Sequence, residues 1–349
     1  MIQTAIARAV TGENLSRELA RATMEQILAG EATSSQIAGL AVALRMKGET
    51  ADEIAGMAAA MRARVPPLLS QRAPLLDTCG TGGDNAGTFN ISTTTAIVVA
   101  SCGVAVAKHG NRAVSSRTGS ADVLESLGVR IDLTPIAAAR SLDAMGITFL
   151  FAPNYHGALR HAVGPRRELG IRTVFNVLGP LTNPASATRQ LLGVYADHLV
   201  PLIAEVLRQL ESERAMVVHG RDGMDELTVF ATNHVAELRD GRISEYEVDP
   251  ATYGLGHTDR SGVAGGSAAD NAARARAVLA GEKGAARDIV LLNAAAALVV
   301  AEVTADLKEA ATMAAKAIDS GAARTTLQRW IEVSNEEIDD GANDATHEA

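Results

Sequence analysis

Residues 77–95 read DTCGTGGDNAGTFNISTTT, and the apolar run AIVVA follows at 96–100. Gly80, Gly82 and Gly83 stand here among small hydroxyl-bearing residues. Glycine lets backbone N–H groups approach a ligand closely and reach positive φ. The run Ser92-Thr93-Thr94-Thr95 ahead of apolar residues marks a helix opening, with free N–H groups and a positive dipole end. Together these features predict an anion cradle, most naturally for phosphate. For GTGG alone, a glycine-rich surface turn before a capped helix is the plainer alternative.

Downstream, strand and helix patterns alternate. A short buried strand at 75–76 leads into the glycine loop, then a helix at 91–102, a strand at 104–107 and a helix at 120–127 ending on Gly128. Further strands are expected at 148–151, 191–194, 215–218 and 228–230, with a helix at 199–210. This alternation predicts an α/β domain with a mostly parallel sheet flanked by helices. Residues 153–190 hold four prolines and few β-branched runs, which suggests an excursion away from the sheet. Beyond it come an alternating strand at 244–248, a glycine-rich loop at 254–266 and two alanine-rich helices.

Upstream, residues 1–70 read as a small helical domain. Leu15, Leu19, Ile27 and Leu28 recur at helical spacing, and Gly30 offers a stop. Thr33 with Gln36 and Thr50 with Glu53 match the capping-box pattern. Short helices with small faces bury little alone, so they are expected to pack on the main domain or on a second subunit, giving a homodimer. The expected division is 1–70 joined by part of 153–190, then 71–152 with 191–334, then an acidic tail at 335–349.

Composition narrows the function. Of 349 residues, 47% are hydrophobic but only 3% aromatic, so the core is aliphatic and alanine-rich. A formal charge of −9 argues against nucleic-acid or membrane-surface partners, leaving room for a local basic pocket. Cys79 and Cys102 give neither a disulfide framework nor metal-ligand spacing, which fits a reduced cytoplasmic protein. The opening MIQTAIARAV lacks the charged and apolar regions of a leader, and the apolar stretch at 289–303 is too short to span a bilayer.

Two more constellations suit phosphate chemistry. Lys108-His109-Gly110-Asn111-Arg112, with Ser115, Ser116 and Ser120 beyond, leaves a strand end as a second anion loop. Asp225-Glu226 follows the strand at 215–218, where adjacent carboxylates can hold Mg²⁺ together with substrate phosphates. Taken singly, each is also compatible with a solvated turn. His109 and His156 lie near these motifs and more naturally shape a pocket than transfer protons; Cys79 and Cys102 read as packing residues.

The ordered motifs DTCGTGGD, FNIST, KHGNR, TGSADVLE, RRELGIRTVFNVLGPLTNPA and GRDGMDELT resemble the anthranilate phosphoribosyltransferase family over about residues 75–230. The resemblance implies a fold of the nucleoside phosphorylase/phosphoribosyltransferase type and a homodimer through the helical domain. It implies transfer of the phosphoribosyl group of 5-phosphoribosyl-1-pyrophosphate (PRPP) to anthranilate, releasing pyrophosphate, the second step of tryptophan biosynthesis from chorismate. Matched by motif, PRPP contacts fall on Gly80, Gly83, Asp84, Thr88, Asn90, Ile91, Ser92, Thr93, Lys108, Asn111, Ser115, Ser116 and Ser120. Anthranilate contacts fall on Gly80, Asn111 and Arg166, with Arg167 left open as the inward residue. Two Mg²⁺ per monomer would be held by Ser92, Asp225 and Glu226. Lys108, Asp225 and Glu226 would act electrostatically, with no certain acid or base. Gly157 departs from the proline common after the histidine of this motif, and Cys79 from a usual aliphatic residue. The competing expectations are a pyrimidine nucleoside phosphorylase of the same fold and a non-catalytic nucleic-acid-binding relative. The metal pair and the acidic charge count against them.

Overall fold

The computed structural model describes residues 1–113 and 117–336. The chain begins with α1 (Ile2–Val10), α2 (Arg17–Leu28), α3 (Ser34–Lys47) and α4 (Ala51–Arg62). Both expected capping boxes form: Gln36 N donates to Thr33 Oγ1 at 3.3 Å while Thr33 N donates to Gln36 Oε1 at 2.9 Å. Thr50 and Glu53 repeat the exchange, at 2.8 and 3.4 Å. Glu53 is fully buried and also accepts from Leu15 N at 2.8 Å and pairs with Lys47 Nζ at 3.0 Å. One carboxylate thus ties α4 to the α1–α2 connection and to the end of α3. A buried charge is tolerated when its partners are supplied in this way.

The strands are β1 (Leu76–Gly80), β2 (Val106–Gly110), β3 (Ile147–Phe151), β4 (Arg189–Gly193), β5 (Arg214–Gly220), β6 (Asn233–Arg239) and β7 (Arg242–Val248). They form a seven-stranded sheet in the order β3-β2-β1-β4-β5-β6-β7. β1 to β5 are parallel, and β6 and β7 join antiparallel. Helix α5 (Ile91–Ser101) links β1 to β2, and α6 (Ser120–Leu127) with α7 (Pro135–Met145) links β2 to β3. The excursion before β4 carries α8 (Ala152–Tyr155), α9 (Arg160–Leu169) and α10 (Phe175–Leu178), and α11 (Leu199–Gln209) leads to β5. Because β2 and β3 lie on one side of β1 and β4 on the other, the connections diverge between β1 and β4. Ligands of open α/β sheets bind outside the carboxyl ends of the strands at such a point.

Side-chain alternation divides the core between two faces. Met216 and Val218 of β5 and Leu191 of β4 join α5 and the long helix α13 (Ala285–Val300). Ala215, Val217 and Leu192 face the other way, joining α11 and the N-terminal helices. Ala162 of α9 and Phe175 of α10 belong to this second cluster, so the excursion does pack with the helical block. The apolar stretch that includes 289–300 is accounted for by α13, buried within the first cluster. No described helix is long and apolar enough to cross a membrane.

Several expectations need correction. Residues 228–230 form no strand. Thr228 N donates to Asn233 Oδ1 at 2.6 Å, Thr228 Oγ1 donates to Asp222 Oδ2 at 2.8 Å, and Phe230 N returns to Thr228 Oγ1 at 3.1 Å. These local bonds compete with a ladder, and the strand is β6 instead. Lys108, His109 and Gly110 lie in β2 rather than in a loop after it. Among the described residues the C-terminal part has four helices, not two: α12 (Ala268–Leu279), α13, α14 (Leu307–Asp319) and α15 (Ala322–Asn335). Helix α15 includes Asn335, and the rest of the expected acidic tail after Glu336 lies outside the described residues.

Candidate active site

The site grows from two glycines. Gly80 ends β1 and Gly193 ends β4, and they are register partners. A Cβ on Gly193 would lie 1.6 Å from the Asp225 carbonyl oxygen, and one on Gly80 would lie 2.6 Å from Asp225 Oδ2. Bare backbone at both strand ends therefore lets the segment after β5 lie across the sheet. Asp225 Oδ2 then accepts from Gly82 N at 2.6 Å, holding the glycine loop. Glu226 Oε1 accepts from Ser92 N at 3.2 Å and so caps α5 at its positive end. Asp84 closes the group, its Oδ2 accepting from Asp225 N at 3.3 Å.

Asp84, Asp225 and Glu226 thus place three carboxylates together. Burial, then repulsion from Asp84 and Glu226, pushes the Asp225 carboxyl well above its ordinary value. Burial also raises Glu226, with Lys108 opposing the shift. Such a cluster wants cations. No three His, Cys, Asp or Glu side chains among the described residues stand in ligating geometry around one point. The chain thus offers pairs of oxygens and leaves other positions to water or phosphate, a donor set that suits Mg²⁺. Ser92 adjoins the pair, bonded through N to Glu226 and through Oγ to Lys108 Nζ at 3.4 Å.

Lys108 is 1% exposed and donates to the Thr78 carbonyl. Its position depends on Asp77, which the sequence reading did not single out. β1 and β2 share one register pair, Leu76 with Val106. Beyond it Asp77 Oδ1 accepts from His109 N at 3.1 Å, and Asn183 Nδ2 donates to Asp77 Oδ2 and the Ala107 carbonyl, each at 2.8 Å. These side chains fill the gap between strands with satisfied bonds. A lone acidic residue in an apolar strand was the available signal.

The N–H groups of Gly83, Asp84 and Thr93 donate to no partner among the described residues, and Thr93 Oγ1 is buried without one. Thr88 bridges to Ala264, and Asn90 donates to the Thr118 carbonyl at 3.3 Å while accepting from Asn271 Nδ2 at 2.9 Å. Ile91 gives its N–H to Phe89 and its side chain to the core. Asn111 is exposed, its carbonyl accepting from Ser120 Oγ at 3.2 Å. Ser115 and Ser116 lie outside the described residues. Arg166 stands apart from this group, half-buried in α9 with its guanidinium 5.8 Å from the Phe175 ring centroid. Arg167 is exposed, so packing distinguishes the adjacent arginines.

A family model described as glycosyl transferase family, helical bundle domain matches residues 3–65, and one described as glycosyl transferase family, a/b domain matches 72–324. An anthranilate phosphoribosyltransferase of Moorella thermoacetica is 54% identical over 335 residues, covering 95% of this chain and 99% of that protein. The chain belongs to the anthranilate phosphoribosyltransferase family. The crystal structure of the Thermus thermophilus enzyme superposes with a TM-score of 0.90 at 44% identity, over 95% of this chain and 99% of that one. The Saccharomyces cerevisiae enzyme in complex with PRPP and Mg superposes at 0.87 with 26% identity, over 95% and 97%. That yeast enzyme has also been solved in complex with 4-fluoroanthranilate.

Within this phosphoribosyltransferase fold the two departures from motif are harmless. Gly157 has open space where a Cβ would go. Cys79 is buried, accepts from Gln190 Nε2 at 3.1 Å, and has its thiol pushed up by burial, so it is no nucleophile. The His109 and His156 rings meet edge-on at 5.1 Å between centroids. Burial, then His156 and Lys108 nearby, holds His109 down at about 3, and burial holds His156 at about 4. Both are neutral at pH 7 and serve shape rather than charge. Unfolded histidine takes its proton near 6.5, so this contribution to stability is complete above about pH 6.5 and is lost as pH falls toward 4. The urea midpoint at pH 5 relative to that at pH 7 should therefore be higher in His109→Gln/His156→Gln than in the parent. An unchanged relative midpoint in that variant would contradict the assignment.

Proposed function

We propose that the cleft at the ends of β1, β4 and β5 carries out the family reaction with the residues described above. The chain transfers the phosphoribosyl group of PRPP to the amine of anthranilate, giving N-(5-phosphoribosyl)anthranilate and pyrophosphate in tryptophan biosynthesis. It is a pentosyl transferase. The observation that carries the assignment of residues is the convergence of Asp225 and Glu226 on the glycine loop and on the start of α5.

In this reading Ser92 with Glu226, and Asp225 with Glu226, hold two Mg²⁺. Bound there, the ions supply Lewis-acid neutralisation of the charge that grows on the leaving diphosphate. The N–H groups of Gly83, Asp84 and Thr93, free among the described residues, receive phosphate oxygens, with Gly80, Thr88, Asn90 and Ile91 forming the wall. Lys108, Asn111, Ser115, Ser116 and Ser120 complete the PRPP site. Preformed donors aimed at developing charge are the strongest device such a site has. Arg166, with Asn111 and Gly80, orients the anthranilate carboxylate; a guanidinium binds that planar group in two-pronged fashion. The arylamine is neutral at pH 7 and needs no strong base before attack. Positioning the two reactants is worth about 7–11 kcal/mol in favourable cases.

The helical unit of this reading comprises 1–70 with part of 153–190, and the sheet unit comprises 71–152 with 191–334. The enzyme acts in the cytoplasm as a homodimer through the helical unit, with no nucleic-acid partner. Supporting the dimer, Val10, Met46 and Val163 leave 66%, 83% and 55% of their surfaces exposed on α1, α3 and α9, helices that pack together. Supporting the last point, the net charge is −9. The test is anthranilate fluorescence in the presence of PRPP. Its loss should require Mg²⁺ and stop on addition of a chelator, and absence of turnover in folded protein would refute the reading.

A further inference from the structure

The segment after α9 carries a cation that the motif reading did not use. Arg172 is half-buried, yet among the described residues it makes no ion pair and no hydrogen bond. Its guanidinium lies 4.3 Å from the centroid of the Tyr195 ring, just beyond β4. The same group lies against the glycine loop: a Cβ on Gly83 would be 3.5 Å from Arg172 Nε and 3.6 Å from Nη2. Gly83 has φ +78°, and its N–H is free among the described residues.

A guanidinium held over an aromatic ring is positioned while its donors stay available. Here the donors border the loop that offers backbone N–H groups to phosphate. Lys108 is already engaged with the Thr78 carbonyl and Ser92. Arg172 is a cation at the edge of this loop whose donors are uncommitted among the described residues.

We propose that Arg172 is a further diphosphate-binding residue, donating from its fork to a phosphate oxygen of PRPP and of the departing pyrophosphate. This rests on the reading of the glycine loop as the diphosphate cradle. Arg172 comes from the same segment as Arg166, separated from it by the end of α9 and the left-handed Gly170, φ +61°. One segment would thus contact both substrates, Arg166 the acceptor and Arg172 the leaving group.

The test is titration of inorganic pyrophosphate with Mg²⁺ into the full chain, alongside steady-state kinetics. Arg172→Gln should weaken pyrophosphate about tenfold, the scale of a lost charge-assisted bond. The KM for PRPP should rise in parallel while that for anthranilate stays unchanged. Arg172→Lys, which keeps the charge without the fork, should lose less. Unchanged pyrophosphate affinity in Arg172→Gln, with or without a lowered melting temperature, would reduce the residue to packing on Tyr195 and overturn the proposal. If Arg172→Gln does not fold, Arg172→Lys decides by the same criterion. Asp225→Asn/Glu226→Gln separates the two levels of inference. If that variant also binds pyrophosphate normally, the cleft itself is misassigned; if it binds weakly while Arg172→Gln binds normally, only the role of Arg172 falls.

Discussion

Asp225→Asn/Glu226→Gln should lower turnover by about a thousandfold or more, the scale seen when a preorganised charge-stabilising group is lost. Added Mg²⁺ should not restore it. The fold should survive, because each amide keeps an oxygen to accept from Gly82 N or Ser92 N, now at 2.6 and 3.2 Å. Without metal the variant should be at least as stable as the parent. Burial, with repulsion from Asp84, raises both carboxyls in the folded state, so ionising them costs stability. That stability is present at low pH and is lost as pH rises from about 4 through the raised folded values. The variant lacks these groups and should lack that slope. Melting curves in chelator at pH 5 and 8, with the fluorescence assay, measure both effects. Activity within tenfold of the parent would exclude the pair as the metal site.

Gly193→Ala should be the most damaging single methyl group in the sheet domain. Its Cβ would lie 1.6 Å from the Asp225 carbonyl oxygen and 2.5 Å from the carbonyl carbon, both backbone atoms that no rotamer change can remove. Either β4 moves away from β1 or the 225–226 segment lifts from the strand ends. The expected cost is about 3 kcal/mol or more, at the upper end for overpacking. Any folded fraction should have lost Mg²⁺-dependent turnover with it. Gly157→Ala is the control, since nothing lies within 4 Å of its added carbon. Urea unfolding of the two variants side by side makes the comparison, and equal stability would show that the strand ends are not packed as described.

The local grammar of this chain was legible from residues alone. Thr33, Thr50 and the hydroxyl run from Ser92 announced helix starts, and the alternation of short apolar strands with helices announced a mostly parallel sheet. These depend on backbone valences and side-chain periods within a few residues. The ordered motifs then brought the glycine loop, Lys108 and Asp225-Glu226 into one expected site, and the strand ends do gather them. Thr228 was misread because its hydroxyl takes a partner, Asp222, whose competition with a ladder no propensity expresses. Other features required the fold. Asp77 and Asn183 are far apart in sequence and meet only where β1 and β2 separate. Arg166 and Arg167 are adjacent in sequence, and packing against Phe175 tells them apart. Arg172 gains its meaning from Tyr195 and Gly83, which the β1–β4 pairing brings beside it. The sequence by itself determined the elements and the chemical vocabulary of the site; tertiary structure decided which groups are buried, which bonds they use and which charges remain uncommitted, because those depend on contacts between segments distant along the chain.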